Sequence, residues 1–217
     1  YWQFSVKDWV HDDIGLGHMC KPYQKPHPPV AISAMSPFSS SIRYAAEKEY
    51  IPISANFIGN WSVKSHWQVY AEEAEKHGRT ADPEVWRVAR NIHVGETDAE
   101  AEAFVKEANG SCDWYFDYLY RIFDRAEMKG AFVVNKGDDG DALTHEQLRD
   151  NYTLYGSPDT VVEKILAFRE EVGHFGTLMQ TAQDWTDAAV MKRSMQLLAE
   201  EVMPKVNAAI GSQKAAE

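Results

Sequence analysis

The stretch from residue 28 to 57, PPVAISAMSPFSSSIRYAAEKEYIPISANF, constrains the fold more than any other. A short apolar run at residues 30–32 ends in the small residues Ser33 and Ala34. A loop carrying Ser36, Ser39, Ser40 and Ser41 follows, then a helical segment over 42–49 and a second apolar run over 51–55. Strand, serine-rich loop, helix and strand make a βαβ unit. The loop sits at the C-terminal end of the first strand and at the N-terminus of the helix, where α/β proteins bind ligands. Helix N-termini offer unpaired N–H groups and a partial positive charge, so the loop suits a phosphate.

The rest of the chain fits around this unit. Residues 1–29 read as an extended lead-in: YWQFSV is a strand or hairpin arm, 15–23 is a second extended piece, and Pro22, Pro26, Pro28 and Pro29 exclude helix. A helix is expected over 60–78, with Ser62 as its cap and Gly78 as its stop. Residues 85–94, VWRVARNIHV, read as a strand. Thr97 or Asp98 caps the next helix, which breaks at Asn109-Gly110-Ser111. A second helical piece over 113–128 is dense in aromatics, with Trp114, Tyr115, Phe116, Tyr118 and Phe123. This helix lines a substrate, forms a dimer face, or is buried in the shell.

Residues 126–151 form a polar insertion, a lid or binding loop in many compact domains. Its Asp138, Asp139 and Asp141 lack the register and closing glutamate of a calcium loop. Ser157-Pro158-Asp159 opens a helix that Gly173 ends. A last strand spans 175–182, and a final helix over 188–203 is capped by Asp184 or Thr186 and stopped by Pro204. The tail, 206–217, reads as frayed.

Four strands, at 30–34, 51–55, 86–94 and 175–182, each followed by helix, are half of the eight βα units of a barrel. The chain opens mid-stride at Tyr1 without an initiator Met. The expected fold is therefore α/β: the C-terminal half of a TIM-like (β/α)8 barrel over residues 30–205. A self-contained open α/β sheet is the alternative.

A net charge of −11 argues against nucleic acid or an anionic membrane surface as partner. No apolar run approaches the ~20 residues that span a bilayer. Cys20 and Cys112 lie far apart without metal spacing, and the histidines lack paired spacing, so no metal site is expected and a reduced cytoplasm is the default. No GxGxxG and no GxxxxGK[ST] is present, and no nucleophile–base pair is evident, which fits chemistry carried by a cofactor.

The cofactor-site candidates are Ser36, Ser39, Ser40 and Ser41, with Arg43 one turn into the helix. A solvated serine loop and an exposed arginine among Glu47, Lys48 and Glu49 are the competing readings. Asn56, His93, Met179 and Gln180 stand at or beyond strand ends and are the pocket candidates. A satisfied core histidine and a packed methionine are the alternatives for two of them.

The chain resembles the C-terminal part of the bacterial luciferase-like flavin monooxygenases, in particular the limonene monooxygenase branch. The resemblance rests on KPYQKPHPPVAIS, SAMSPFSSSIRYAAEKEY, WQVYAEEAEKHGRT, WRVARNIHVGETDAEAEA, YGSPDTVVEKILAFREEVGHFGTLM and LAEEVMPKV, in that order. It implies a TIM-like barrel binding reduced FMN from a separate flavin reductase, and oxygenation of a small apolar organic substrate with O2. It also implies that Ser36 and Ser39–Ser41 hold the flavin phosphate. The family's catalytic histidine and much of its ring site belong to the preceding half, so the catalytic residues are not in this chain. The expected assembly is a homodimer or a pairing with that half. The alternatives are a deazaflavin-dependent dehydrogenase on the same barrel and a non-catalytic flavin-binding or assembly module.

Overall fold

A computed structural model of the chain describes residues 10–14, 16–17, 22–183 and 185–214. The chain divides into two compact units, Tyr1–Val30 and Ala31–Glu217. In the first, β1 (Val10–His11) pairs antiparallel with β2 (Leu16–Gly17), and residues 22–30 carry no regular structure, as their prolines require. The strand expected over YWQFSV lies outside the described residues, as do His18 and Cys20.

The second unit is a parallel sheet backed by helices. Its order is β3 (Ala31–Ala34), α1 (Ser40–Glu47), β4 (Ile51–Ser54), α2 (Asn60–Lys76), β5 (Arg87–Val94), α3 (Asp98–Val105), α4 (Ser111–Arg125), α5 (His145–Tyr152), β6 (Thr153–Gly156), α6 (Pro158–Val172), β7 (Thr177–Thr181), α7 (Ala188–Leu197) and α8 (Met203–Lys214). β3 pairs with β4, and β4 with the start of β5 at Ile53–Arg87 and Ser54–Val88. β6 pairs with the far end of β5 over Asn91–Val94, and β7 runs along β5 from Arg87 to Asn91. Because β7 overlaps both partners' registers, β4 and β6 must share the opposite edge of β5. That strand is forked at its C-terminal end.

Alternation sorts the side chains into two faces. Val88, Ile92 and Val94 of β5 pack into the helix layer with Phe168, Ile165 and Leu197. Ala89, Asn91 and His93 lie on the other, inner face. There the sheet is exposed at Ala31, Ser33 and Thr177. Parallel sheets are ordinarily covered on both faces, so this is the geometry of half a barrel. Trp86 anchors the helix-side core. It is fully buried, stacks on Trp67 at 5.6 Å, meets Phe175 edge-on at 6.2 Å and donates its indole N–H to Ser54 Oγ at 3.0 Å.

Several expectations need correction. The strand count is five in this unit, because Thr153–Gly156 is a strand where only a helix start was expected. α5 runs into it without a turn, so no loop signal marks it. Gly59, not Ser62, caps α2, and Asp187, not Thr186, caps α7 through its carboxylate, while Asp184 lies outside the described residues. Pro204 does not stop the last helix, and residues 206–214 are helical rather than frayed. A π turn over Leu198–Val202 shifts the hydrogen bonds so that Met203 N–H reaches Leu198 O. Pro204 then stands second in a new helical segment, where its missing N–H costs little. The insertion at 126–151 is anchored: Phe132 is fully buried, and Tyr152 Oη donates to its carbonyl at 2.6 Å.

Candidate functional site

The serine loop is shaped by α2 rather than by its own residues. Ser65 Oγ accepts the Phe38 N–H at 2.9 Å, where Phe38 holds φ at 52°. His66 Nε2 meets the Ser36 carbonyl at 2.9 Å, and its Nδ1 meets Ser54 Oγ at 2.9 Å. A carbonyl only accepts, so Nε2 carries the proton. His66 is fully buried, and burial holds its pKa below the usual value, so the ring is neutral with Nδ1 accepting.

With the backbone fixed in this way, the four serines differ. Ser39 Oγ accepts the Ser41 N–H at 3.2 Å and caps α1. Ser36, Ser40 and Ser41 are exposed, and the first turn of α1 holds no acidic residue. Arg43 pairs with Glu73 of α2 at 3.3 Å.

A buried amide network lies at the C-terminal ends of the inner face. Asn91 Nδ2 donates to the Tyr152 carbonyl at 3.1 Å, which fixes its orientation. Its Oδ1 therefore accepts, and it does so three times: from Asn56 Nδ2 at 2.9 Å, Thr181 Oγ1 at 2.8 Å and Gln183 Nε2 at 2.8 Å. The Asn56 amide also donates to Tyr115 Oη at 3.0 Å. From the opposite side, Arg90 grips the same loop. Its guanidinium donates to Ala55 O, Ile58 O and Asn60 Oδ1 and lies over the Phe168 ring. Burial lowers the Arg90 pKa to about 10, which leaves it charged at neutral pH. Residues 90 and 91 thus clamp the turn that carries Asn56.

A cleft of about 440 Å³ opens beside this network, lined by Ser111, Trp114, Tyr115, Ala182 and Gln183, among others. A second, of about 370 Å³, lies between α3 and α7 and is lined by His93, Phe104, Val190 and Arg193, among others. There His93 stacks on Phe104 at 4.0 Å, and its Nδ1 is enclosed without a partner among the described residues. Burial pushes its pKa down to about 4 from the usual 6.5. Between those values the unfolded chain binds more protons than the folded one, so acid favours unfolding. His93 alone is expected to remove on the order of 3 kcal/mol of stability as pH falls from 7 to 4. Urea midpoints across that range should show a steeper loss for the native chain than for His93→Phe, which retains a ring against Phe104. Parallel profiles would mean that His93 does not couple to folding.

The pocket candidates separate accordingly. Asn56 is buried at the centre of the network. Met179 shares the inner face with Ala89, its partner in the ladder. His93 belongs to the second cleft. Gln180 pairs in register with Arg90 on the helix side and donates to the Ile92 carbonyl at 3.1 Å, so it does not join Asn56. Its neighbour Thr181 turns inward instead. Asn91, Thr181, Gln183 and Tyr152 were not singled out from sequence. An asparagine inside the apolar run VARNIHV was the available signal, since a buried amide needs partners.

The luciferase-like monooxygenase family model matches residues 17–174. The chain belongs to the luciferase-like monooxygenases. Within this family it is similar to 3,6-diketocamphane 1,6-monooxygenase of Pseudomonas putida, at 38% identity over 181 residues, covering 82% of this chain and 47% of that protein. It is 33% identical over 180 residues to 2,5-diketocamphane 1,2-monooxygenase 2 of the same organism, covering 82% and 49%. The solved structure of the oxygenating constituent of 3,6-diketocamphane monooxygenase, a type II Baeyer–Villiger monooxygenase in complex with FMN, aligns with a TM-score of 0.74 at 37% identity. That alignment covers 83% of this chain and 49% of the other. This luciferase-like chain thus spans about half the length of the relatives it matches.

Proposed function

We propose that the chain supplies half of the active barrel of a flavin-dependent monooxygenase that oxygenates a small apolar organic substrate. The phosphate of FMN docks on the serine loop, and the substrate enters at the Asn56–Asn91–Tyr115 end of the inner face, with Met179 on its wall. The observation that carries this reading is the loop itself. It presents three exposed hydroxyls at a helix N-terminus without a carboxylate in the first turn. Hydroxyl donors at a helix N-terminus favour a phosphate, and a carboxylate in that first turn would oppose it. The similarity to an FMN-bound relative supports the choice of FMN.

In this reading the fixed backbone of residues 36–39 orients the phosphate, and Ser39 keeps the helix end in place. Arg43, held by Glu73, adds no contact. Reduced flavin, when bound, supplies the electrons with which O2 is activated, and a separate flavin reductase provides it in the cytoplasm. The exposed inner face at Ala31, Ser33 and Thr177 is covered by the remaining barrel half or by a second copy. No described helix is long and apolar enough to cross a membrane.

Titration of the chain with FMN, followed by flavin fluorescence, is expected to saturate at one flavin per chain. A deazaflavin of the F420 type is expected to bind at least tenfold more weakly. The reverse order would assign the site to hydride transfer instead of oxygenation.

A further inference from the structure

The cleft beside the amide network has a simple polar inventory. Its described lining residues Asn109, Ser111, Trp114, Tyr115, Ala182, Gln183 and Thr186 carry no charge. The Gln183 amide is engaged at both ends, donating to Asn91 and accepting from the Cys112 thiol at 3.5 Å. The Ser111 hydroxyl is enclosed against that thiol. Tyr115 differs. Asn56 Nδ2 can only donate, so Tyr115 Oη accepts from it, and the phenol's own proton has no acceptor among the described residues. Both amide protons of Asn56 are committed, one to Asn91 and one to Tyr115, so the phenol cannot turn away without leaving a buried N–H unpaired. Burial raises the phenol's pKa, which keeps the proton on it.

We infer that Tyr115 is the specificity-determining donor of this cleft, holding an acceptor oxygen of a neutral ligand, a ketone or ester carbonyl, against the apolar wall of Trp114. Among the described lining residues a carboxylate would find no cation, and an ammonium no anion. This inference rests on the reading that the cleft receives the organic substrate, but binding alone tests it.

The probes are cyclohexanone and methylcyclohexane, of similar size, titrated into the full chain. The native chain is expected to bind the ketone more tightly than the hydrocarbon, and the carbonyl stretch of the bound ketone should fall to lower frequency. Tyr115→Phe is expected to weaken ketone binding about 3- to 10-fold, the effect of one hydrogen bond, and leave the hydrocarbon unchanged. The carbonyl stretch should return toward its value in an apolar solvent. Equal weakening of both probes by Tyr115→Phe would mean a collapsed wall and overturn the inference. So would an unshifted carbonyl stretch, or a native chain that binds neither probe. FMN titration of the same samples separates the two readings. Flavin binding with an unshifted ketone rejects only the role of Tyr115, whereas loss of flavin binding rejects the monooxygenase reading.

Discussion

Replacing Asn91 by leucine is expected to cost about 3–5 kcal/mol, a large share of the ~5–15 kcal/mol that holds a typical domain folded. The side chain joins four partners from three segments: Asn56, Tyr152, and Thr181 with Gln183 at the end of β7. Thr181 and Gln183 are only partly buried and can turn to water. The Tyr152 carbonyl and the Asn56 amide cannot, and each stranded buried group costs roughly 1–3 kcal/mol. Denaturant unfolding should show the loss as a lower midpoint at unchanged slope. Asn91→Asp sharpens the test. Its carboxylate can accept from the same three donors but cannot donate to Tyr152. Protonation restores that donor, so this variant should recover stability as pH falls, opposite in sign to the His93 effect. If both variants unfold within 0.5 kcal/mol of the native chain, the network is not what holds the strand ends together.

Much of the fold was legible because it rests on local signals. The strand at 30–34, the helix over 42–49 and the strand at 51–55 follow from composition and turn chemistry over about 25 residues, and β3, α1 and β4 stand within two residues of those bounds. The start of α6 at Ser157-Pro158 is another local signal, and it stands where expected. β6 was invisible because it abuts α5 with no turn between them. The Asn91 network was hidden for a different reason. Its partners lie 35 to 92 residues away, and only the registers of β5 with β6 and β7 bring them together. Gln180 and Thr181 illustrate parity. A strand assigned by its apolar content does not say which alternate residues face inward, and a shift of one exchanges them. Arg43 depended on where α2 packs, which no spacing within α1 reveals. The resemblance supplied the flavin, which composition and periodicity do not name.

The second large effect concerns that flavin. Ser36, Ser40 and Ser41 present free hydroxyls, whereas Ser39 caps α1 and its loss costs about 1 kcal/mol of stability on its own account. The informative variant therefore changes Ser36, Ser40 and Ser41 to alanine and keeps Ser39. Three exposed hydrogen bonds to a dianion, at roughly 1–1.5 kcal/mol each, correspond to about a 150- to 2,000-fold loss of FMN affinity. Riboflavin has the same ring without the phosphate, so it serves as the internal control. The decisive measurement is fluorescence titration of the native chain and the triple-alanine variant with FMN and with riboflavin. Phosphate binding at the serine loop predicts that the variant loses FMN affinity by that factor and binds riboflavin as the native chain does. Equal loss for both flavins, or unchanged FMN binding, would contradict it.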